Sequence, residues 1–150
     1  MPTLMQFSAY ALLAVAAGAS SVVQGVANSR LSVDLNSAYW AAFFSYVVGT
    51  LVVLLVIAAT RTAWPGGALT RPPLFAWTGG LWGAIFVVAT IFLMPRLGAA
   101  TVVALFIAGQ MVSALVFDNF AALGLPQHPI DLSRIIGAVL LVGGVVLIRN

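Results

Sequence analysis

Five long apolar stretches fill almost the whole of this 150-residue chain, and its charged residues, six Arg and three Asp, fall almost entirely between them. About 20 consecutive apolar residues cross a bilayer, and a helix in a soluble core rarely runs that long without a charge. The chain therefore reads as an integral membrane protein. The stretches run over about 4–27, 39–60, 75–94, 99–117 and 132–148. At 1.5 Å rise per residue each covers roughly 26–36 Å, the thickness of a hydrocarbon core. Barrel strands alternate apolar and polar residues, whereas Leu51 to Ala59 is apolar without alternation, so the spans are helices. The expected fold is an all-α bundle of five transmembrane helices forming a single domain, 1–150, with no soluble part left over.

The links carry the punctuation. Residues 28–38 form a polar link with Arg30, Asp34 and Asn36, and Asn36 or Ser37 is expected to cap the second helix. Pro65-Gly66-Gly67 and Pro72-Pro73 make 61–74 a true loop, and Pro95-Arg96-Leu97-Gly98 is expected to be a tight turn. Gly124, Pro126 and Pro129 break the last link, and Asp131 reads as the cap of the fifth helix. The first stretch, about 24 residues long without a basic leader, is too long for the core of a signal peptide, so it is expected to stay as a span. Tyr39, Trp40, Trp64 and Trp77 sit near span ends, where interfacial aromatics belong.

Composition removes several functions. Hydrophobic residues make up 63% of the chain and charged residues 6%, and the net charge of +3 is scattered, with no basic stripe for nucleic acid. There is no Cys, and one His with three Asp makes no convincing metal cluster, so no cofactor or metal is expected. No nucleophile elbow, phosphate-binding loop or zinc-protease motif occurs, and an enzyme is not expected. His128, between prolines, reads as a surface residue.

Orientation is the sharpest inference. Cytoplasmic loops are enriched in Lys and Arg. With the N-terminus inside, Arg61, Arg71 and Arg134 face the cytoplasm and Arg30, Arg96 and Arg149 face outward, three against three. Such a chain can insert both ways, and opposed copies would form an antiparallel homodimer. A partner or a weak cue could set the side instead. Inverted-topology pairs are a common architecture of transporters, with the substrate near the midplane.

Few polar residues lie inside the spans. Gly18, Ser21, Gly25 and Asn28 recur at helical spacing within an arc of roughly 80°, and Gln24 widens it to roughly 120°. Gly18, Ser21 and Gly25 read as a packing seam. Gln24 and Asn28 are large amides and either line a cavity or glue helices. Gly79, Gly80 and Gly83 form a close-packing face, and Gly137 with Gly144 is expected to form another. Trp82, deeper than Trp77, is either a wall of a substrate site or lipid-facing filler. Gln110 lies near mid-bilayer with Ser113 a turn on, and either pairs between helices or faces a pathway. Asp118 abuts the fourth span and is either a helix-end residue or a proton-coupling group at the mouth of a cavity; the helix could continue through it toward Leu125.

The stretches Gly18-x5-Gln24-x3-Asn28-x2-Leu31, Trp77-x-Gly79-Gly80-x2-Gly83, Pro95-Arg96-Leu97-Gly98-Ala99, Gly109-Gln110-x2-Ser113-x4-Asp118 and Arg134-x2-Gly137-x6-Gly144 together resemble the YdcZ-like family. That family is a five-helix, half-sized branch of the drug/metabolite transporter superfamily. The resemblance covers nearly the whole chain. It implies an exporter of the bacterial inner membrane, moving a small organic molecule, with members acting as dual-topology homodimers or as paired halves. The small multidrug relatives use a Glu in the first helix, and the first span here has no carboxylate. A lipid- or amphiphile-flipping component and a non-transporting membrane scaffold are the alternatives. Convergence of Gln24, Asn28, Trp82 and Gln110 on a wet cavity is the discriminating feature.

Overall fold

The structure, a computed structural model, describes residues 4–120 and 126–149, the last without its side chain. It is all-α, with no strand among the described residues. The helices are α1 Leu4–Asp34, α2 Ala38–Ala59, α3 Gly79–Leu97, α4 Ala99–Asn119 and α5 Leu132–Arg149. Two short 3-10 turns, Gly66–Thr70 and Leu74–Thr78, occupy the loop before α3. Four helices are long and apolar enough to cross a membrane, and Leu132–Ile148 is a shorter apolar fifth. The N-terminal residues Met1, Pro2 and Thr3, the continuation of α4 toward Leu125 including Gly124, and Asn150 lie outside the described residues. The chain divides into two compact units, Met1–Arg96 and Leu97–Asn150.

In the first unit, α1 and α2 are joined by residues 35–37 and pack along one another as a hairpin. Its core is small: Ala41, Ala42, Val87 and Ile91, with Leu31, Phe86 and Val88 against them. Most large apolar side chains, such as Leu55 at 69% exposure, point outward. That distribution fits lipid as the solvent, because hydrocarbon does not drive apolar side chains together and tight packing falls to small residues. Gly25 shows this. A Cβ there would lie 2.6 Å from Met94 Cε and 2.8 Å from Thr90 Cγ2, so α1 and α3 touch at this point. At Gly83 a Cβ would lie 2.8 Å from the Tyr46 hydroxyl. Gly18, Gly79, Gly80, Gly137 and Gly144 have nothing within 4 Å, so the expected contacts at Gly79 and at Gly137 with Gly144 are not made within the described chain.

Two links differ from expectation. The polar stretch after residue 27 is helical as far as Asp34. It has no Gly or Pro before Asp34, the Arg30 guanidinium bridges Asp34 at 3.1 Å one turn on, and the Ser32 hydroxyl donates to the Ser29 carbonyl at 2.8 Å. An i,i+4 pair supports a helix rather than ending it. Polarity marks where α1 leaves the hydrocarbon, not where it stops. Likewise Pro95 and Arg96 belong to the last turn of α3, and the Arg96 guanidinium donates to the Phe92 carbonyl. The break falls at Gly98 alone, whose φ of 79° is open to glycine.

The caps are as expected. The Trp40 N–H donates to Ser37 Oγ at 3.3 Å at the start of α2. At the start of α5 the Arg134 N–H donates to Asp131 Oδ1 at 2.8 Å and the Ser133 hydroxyl to the same oxygen at 2.7 Å. The Arg134 N–H bond, with the Ser133 hydroxyl second, holds the Asp131 carboxyl below its ordinary range.

In the second unit α4 and α5 pack on each other, and the link between them is tied back to the end of α4. The His128 N–H donates to the Asp118 carbonyl at 2.9 Å, the Gln127 amide to the Asn119 carbonyl at 3.0 Å, and the Ile130 N–H to Asn119 Oδ1 at 3.2 Å.

Candidate functional site

A largely apolar groove with a few polar side chains opens between α1, α2 and α3. It is an open cleft of about 550 Å³, lined by Gln24 of α1, Ser45, Tyr46 and Thr50 of α2, and Gly83 and Phe86 of α3. Its apolar wall is Val53, Leu54 and Val87. A narrow neck shares Gln24, Phe86 and Val87 with it and continues along α1 past Ser21 and Gly25 to Asn28, with Thr90 opposite. The close approach of α1 to α3 at Gly25 makes the neck narrow.

Local sequence explains the depth. Counting 1.5 Å per residue from residue 27, where α1 turns polar, places Gln24 about 5 Å inside the hydrocarbon edge with Asn28 at that edge, and Tyr46 lies about 11 Å inside the start of the second span. Gln24 and Asn28, four residues apart, share one face of α1 and reach the same neck. Asn28 is 7% exposed, and beside it Ser29 Oγ is buried without a hydrogen-bond partner among the described residues. The hydroxyls lining the neck are already engaged: Ser21 donates to the Gly18 carbonyl and Thr90 to the Phe86 carbonyl, each at 2.7 Å.

The other sequence candidates lie elsewhere. Trp82 is 59% exposed, lines neither the groove nor the neck, and donates its indole N–H to Thr78 Oγ1 at 3.2 Å. Gln110 belongs to the second unit, is exposed and lines none of the clefts described here. Asp118 has a partner that the sequence did not assign to it: Arg134 Nη1 lies 3.1 Å from Asp118 Oδ2 and 3.3 Å from the His128 carbonyl. The pair stands at one end of a cleft of about 290 Å³ lined by Met111, Ala114, Gly137 and Leu141. A second, apolar cleft of about 420 Å³ runs past Val112, Leu115, Ile130, Ile135 and Val139.

Sequence reasoning missed the α2 side of the groove. Its signal was present as the cluster Ser45-Tyr46-x2-Gly49-Thr50, a Tyr far from either end of its span with three small or hydroxyl-bearing neighbours. Interfacial Tyr belongs at span ends, so a central one asks for a partner or a cavity.

With this geometry in place, the chain can be set beside known proteins. The family model described as "Putative inner membrane exporter, YdcZ" matches residues 9–147. The chain is 30% identical over 138 residues to the Inner membrane protein YdcZ of Escherichia coli (strain K12), covering 91% of each sequence. No solved structure matches it. The chain belongs to the YdcZ family.

Proposed function

We propose, from membership of that family, that the chain is an inner-membrane exporter that carries a small organic molecule by alternating access through an antiparallel pair of oppositely inserted copies. The observation that carries this is the groove: neutral polar side chains of α1 and α2, facing α3, gathered inside the hydrocarbon. Unpaired polar groups in hydrocarbon cost several kcal/mol each, so they are retained where they line a cavity or a pathway. The inner membrane is the location named both in the family description and in the name of the E. coli relative.

Arg30 is bridged to Asp34 and Arg134 to Asp118, one arginine from each side of the three-against-three division, so these two pairs leave the tie unbroken. One copy has five spans, and an inverted copy supplies the second half of an inverted-repeat architecture. The clefts of the second unit, apolar along their length and with an ion pair at the end of one, favour an amphiphile as the alternative cargo.

The test is Gln24→Leu in proteoliposomes loaded with an extract of small metabolites, with export followed by mass spectrometry. The variant is expected to fold and dimerise as the wild type does while losing export of whichever species the wild type carries. Gln24 is exposed to the groove, so its replacement leaves no buried partner unsatisfied. Unchanged export by a folded Gln24→Leu protein would remove the groove from the pathway.

A further inference from the structure

The groove is mostly apolar, carries a few neutral polar groups and holds no charge. Every charged side chain described in the first unit lies at a helix end or in a loop. Arg30 and Asp34 bridge each other at 3.1 Å, Arg61 and Arg71 sit between α2 and α3, and Arg96 closes the last turn of α3 on the Phe92 carbonyl. A cation in the groove would find no carboxylate and an anion no guanidinium. A lone charge at this depth is strongly disfavoured. Trp82 lies outside the groove and is bonded to Thr78, so the aromatic faces in the groove are Tyr46 and Phe86, with no carboxylate beside them to neutralise a cation.

Hydrogen-bonding capacity, by contrast, is unspent. The Gln24 amide and the Tyr46 hydroxyl have no partner among the described residues, and both line the groove. Asn28 is 7% exposed but sits on a neck without room for a water, and its amide is not among the buried atoms left without a partner. An amide offers two donors and an acceptor, and in hydrocarbon one left unfilled is disfavoured. Between these groups the wall is Val53, Leu54, Phe86 and Val87.

We propose that the groove binds an uncharged molecule with an apolar body and hydrogen-bonding groups at its ends, read by the Gln24 amide and by the Tyr46 hydroxyl. That this molecule is cargo rests on the transport function above; its charge class rests on the groove alone. Tyr46 is the specificity-determining residue of α2, its hydroxyl seated over Gly83 because no side chain stands there.

The test uses one skeleton in three charge states: N-acetyl-phenylalaninamide (neutral), N,N,N-trimethyl-phenylalaninamide (fixed cation) and N-acetyl-phenylalanine (anion). The full chain in lipid nanodiscs is assayed for equilibrium binding of each, and proteoliposomes for uptake of each. The neutral probe is expected to bind at least about tenfold more tightly than either charged one. Tyr46→Phe, which keeps the ring, and Gln24→Leu are each expected to weaken it by about threefold to tenfold, the loss of one hydrogen bond. Gln24→Glu at pH 8 is expected to reverse the order and favour the cation. Binding of a charged probe as tightly as the neutral one, or of none of the three, or a neutral affinity unmoved by Tyr46→Phe, overturns the proposal. A neutral probe that is bound but never carried overturns the transport function and leaves this assignment standing; a charged probe carried in preference does the reverse.

Discussion

Replacing Gly25 by Ala isolates the contact between α1 and α3. The new methyl would sit 2.6 Å from Met94 Cε and 2.8 Å from Thr90 Cγ2. Met94 ends in a flexible thioether and can swing away. Thr90 cannot turn without losing the hydrogen bond from its hydroxyl to the Phe86 carbonyl, 2.7 Å long. Separating the helices is the other escape, and it opens the neck at Asn28. Overpacking of this kind costs about 1–3 kcal/mol. Ala also gains about 0.5–1 kcal/mol over Gly in a helix, which offsets part of the loss. The expected net destabilisation is therefore about 0.5–2 kcal/mol. Gly18→Ala is the control, because nothing lies within 4 Å of its added methyl and only the helix gain remains. Reversible unfolding of both variants in mixed detergent micelles, followed by circular dichroism, measures the difference. Equal shifts for the two alanines would refute the reasoning, since the same chemical change would then be blind to the neighbours on α3.

Asp118→Asn tests whether Asp118 fastens α4 to α5 or carries a proton. Bridged to Arg134 with both side chains about one-third exposed (34% and 33%), it is expected to lose under about 1 kcal/mol of stability and to keep the wild-type pH dependence of transport; a flattened pH profile would make Asp118 the coupling group. For orientation, single cysteines at Gly67 and at Leu35, on opposite sides of the membrane, are each expected to react with an impermeant maleimide from both sides in comparable yield when the chain is expressed alone. Labelling of each from one side only refutes dual insertion, and two added arginines in 61–74 are expected to bias the mixture, because Lys and Arg counts set the side.

The helices were legible because hydrocarbon leaves so few options: a run such as Leu51 to Ala59 can satisfy its backbone in lipid only as a helix. Caps were legible for a similar reason, since Ser37 and Asp131 are residue types whose oxygens accept from an N–H two or three positions on. Helix ends were less so. Residues 28–34 were assigned to a link by polarity, but backbone geometry depends on Gly, Pro and local pairing, and Arg30 with Asp34 kept the helix going. Of the site, the face of α1 with Gln24 and Asn28 could be read from spacing along a single helix. The contribution of α2 could not, because Tyr46 meets Gly83 only through tertiary packing. The Asp118–Arg134 bridge spans sixteen positions along the chain, and no helical period reports such a contact.

The unequal lengths of α1 and α2 bear on how the chain floats in the bilayer. At 1.5 Å per residue α1, with 31 residues, is about 46 Å long, and α2, with 22, about 33 Å. Their shared turn aligns one pair of ends, so the excess of about 13 Å lies at the start of α1. To fit such a rod wholly within ~30 Å of hydrocarbon would need a tilt of about 50°, steeper than membrane helices adopt. Its two ends therefore act as floats. Sliding further in at the start would draw Gln6 and Ser8 deeper into oil, and sliding the other way would submerge the Arg30–Asp34 pair. Buoyancy at both ends thus holds Gln24 and Asn28 at a fixed draught, whichever face of the membrane the chain happens to enter from.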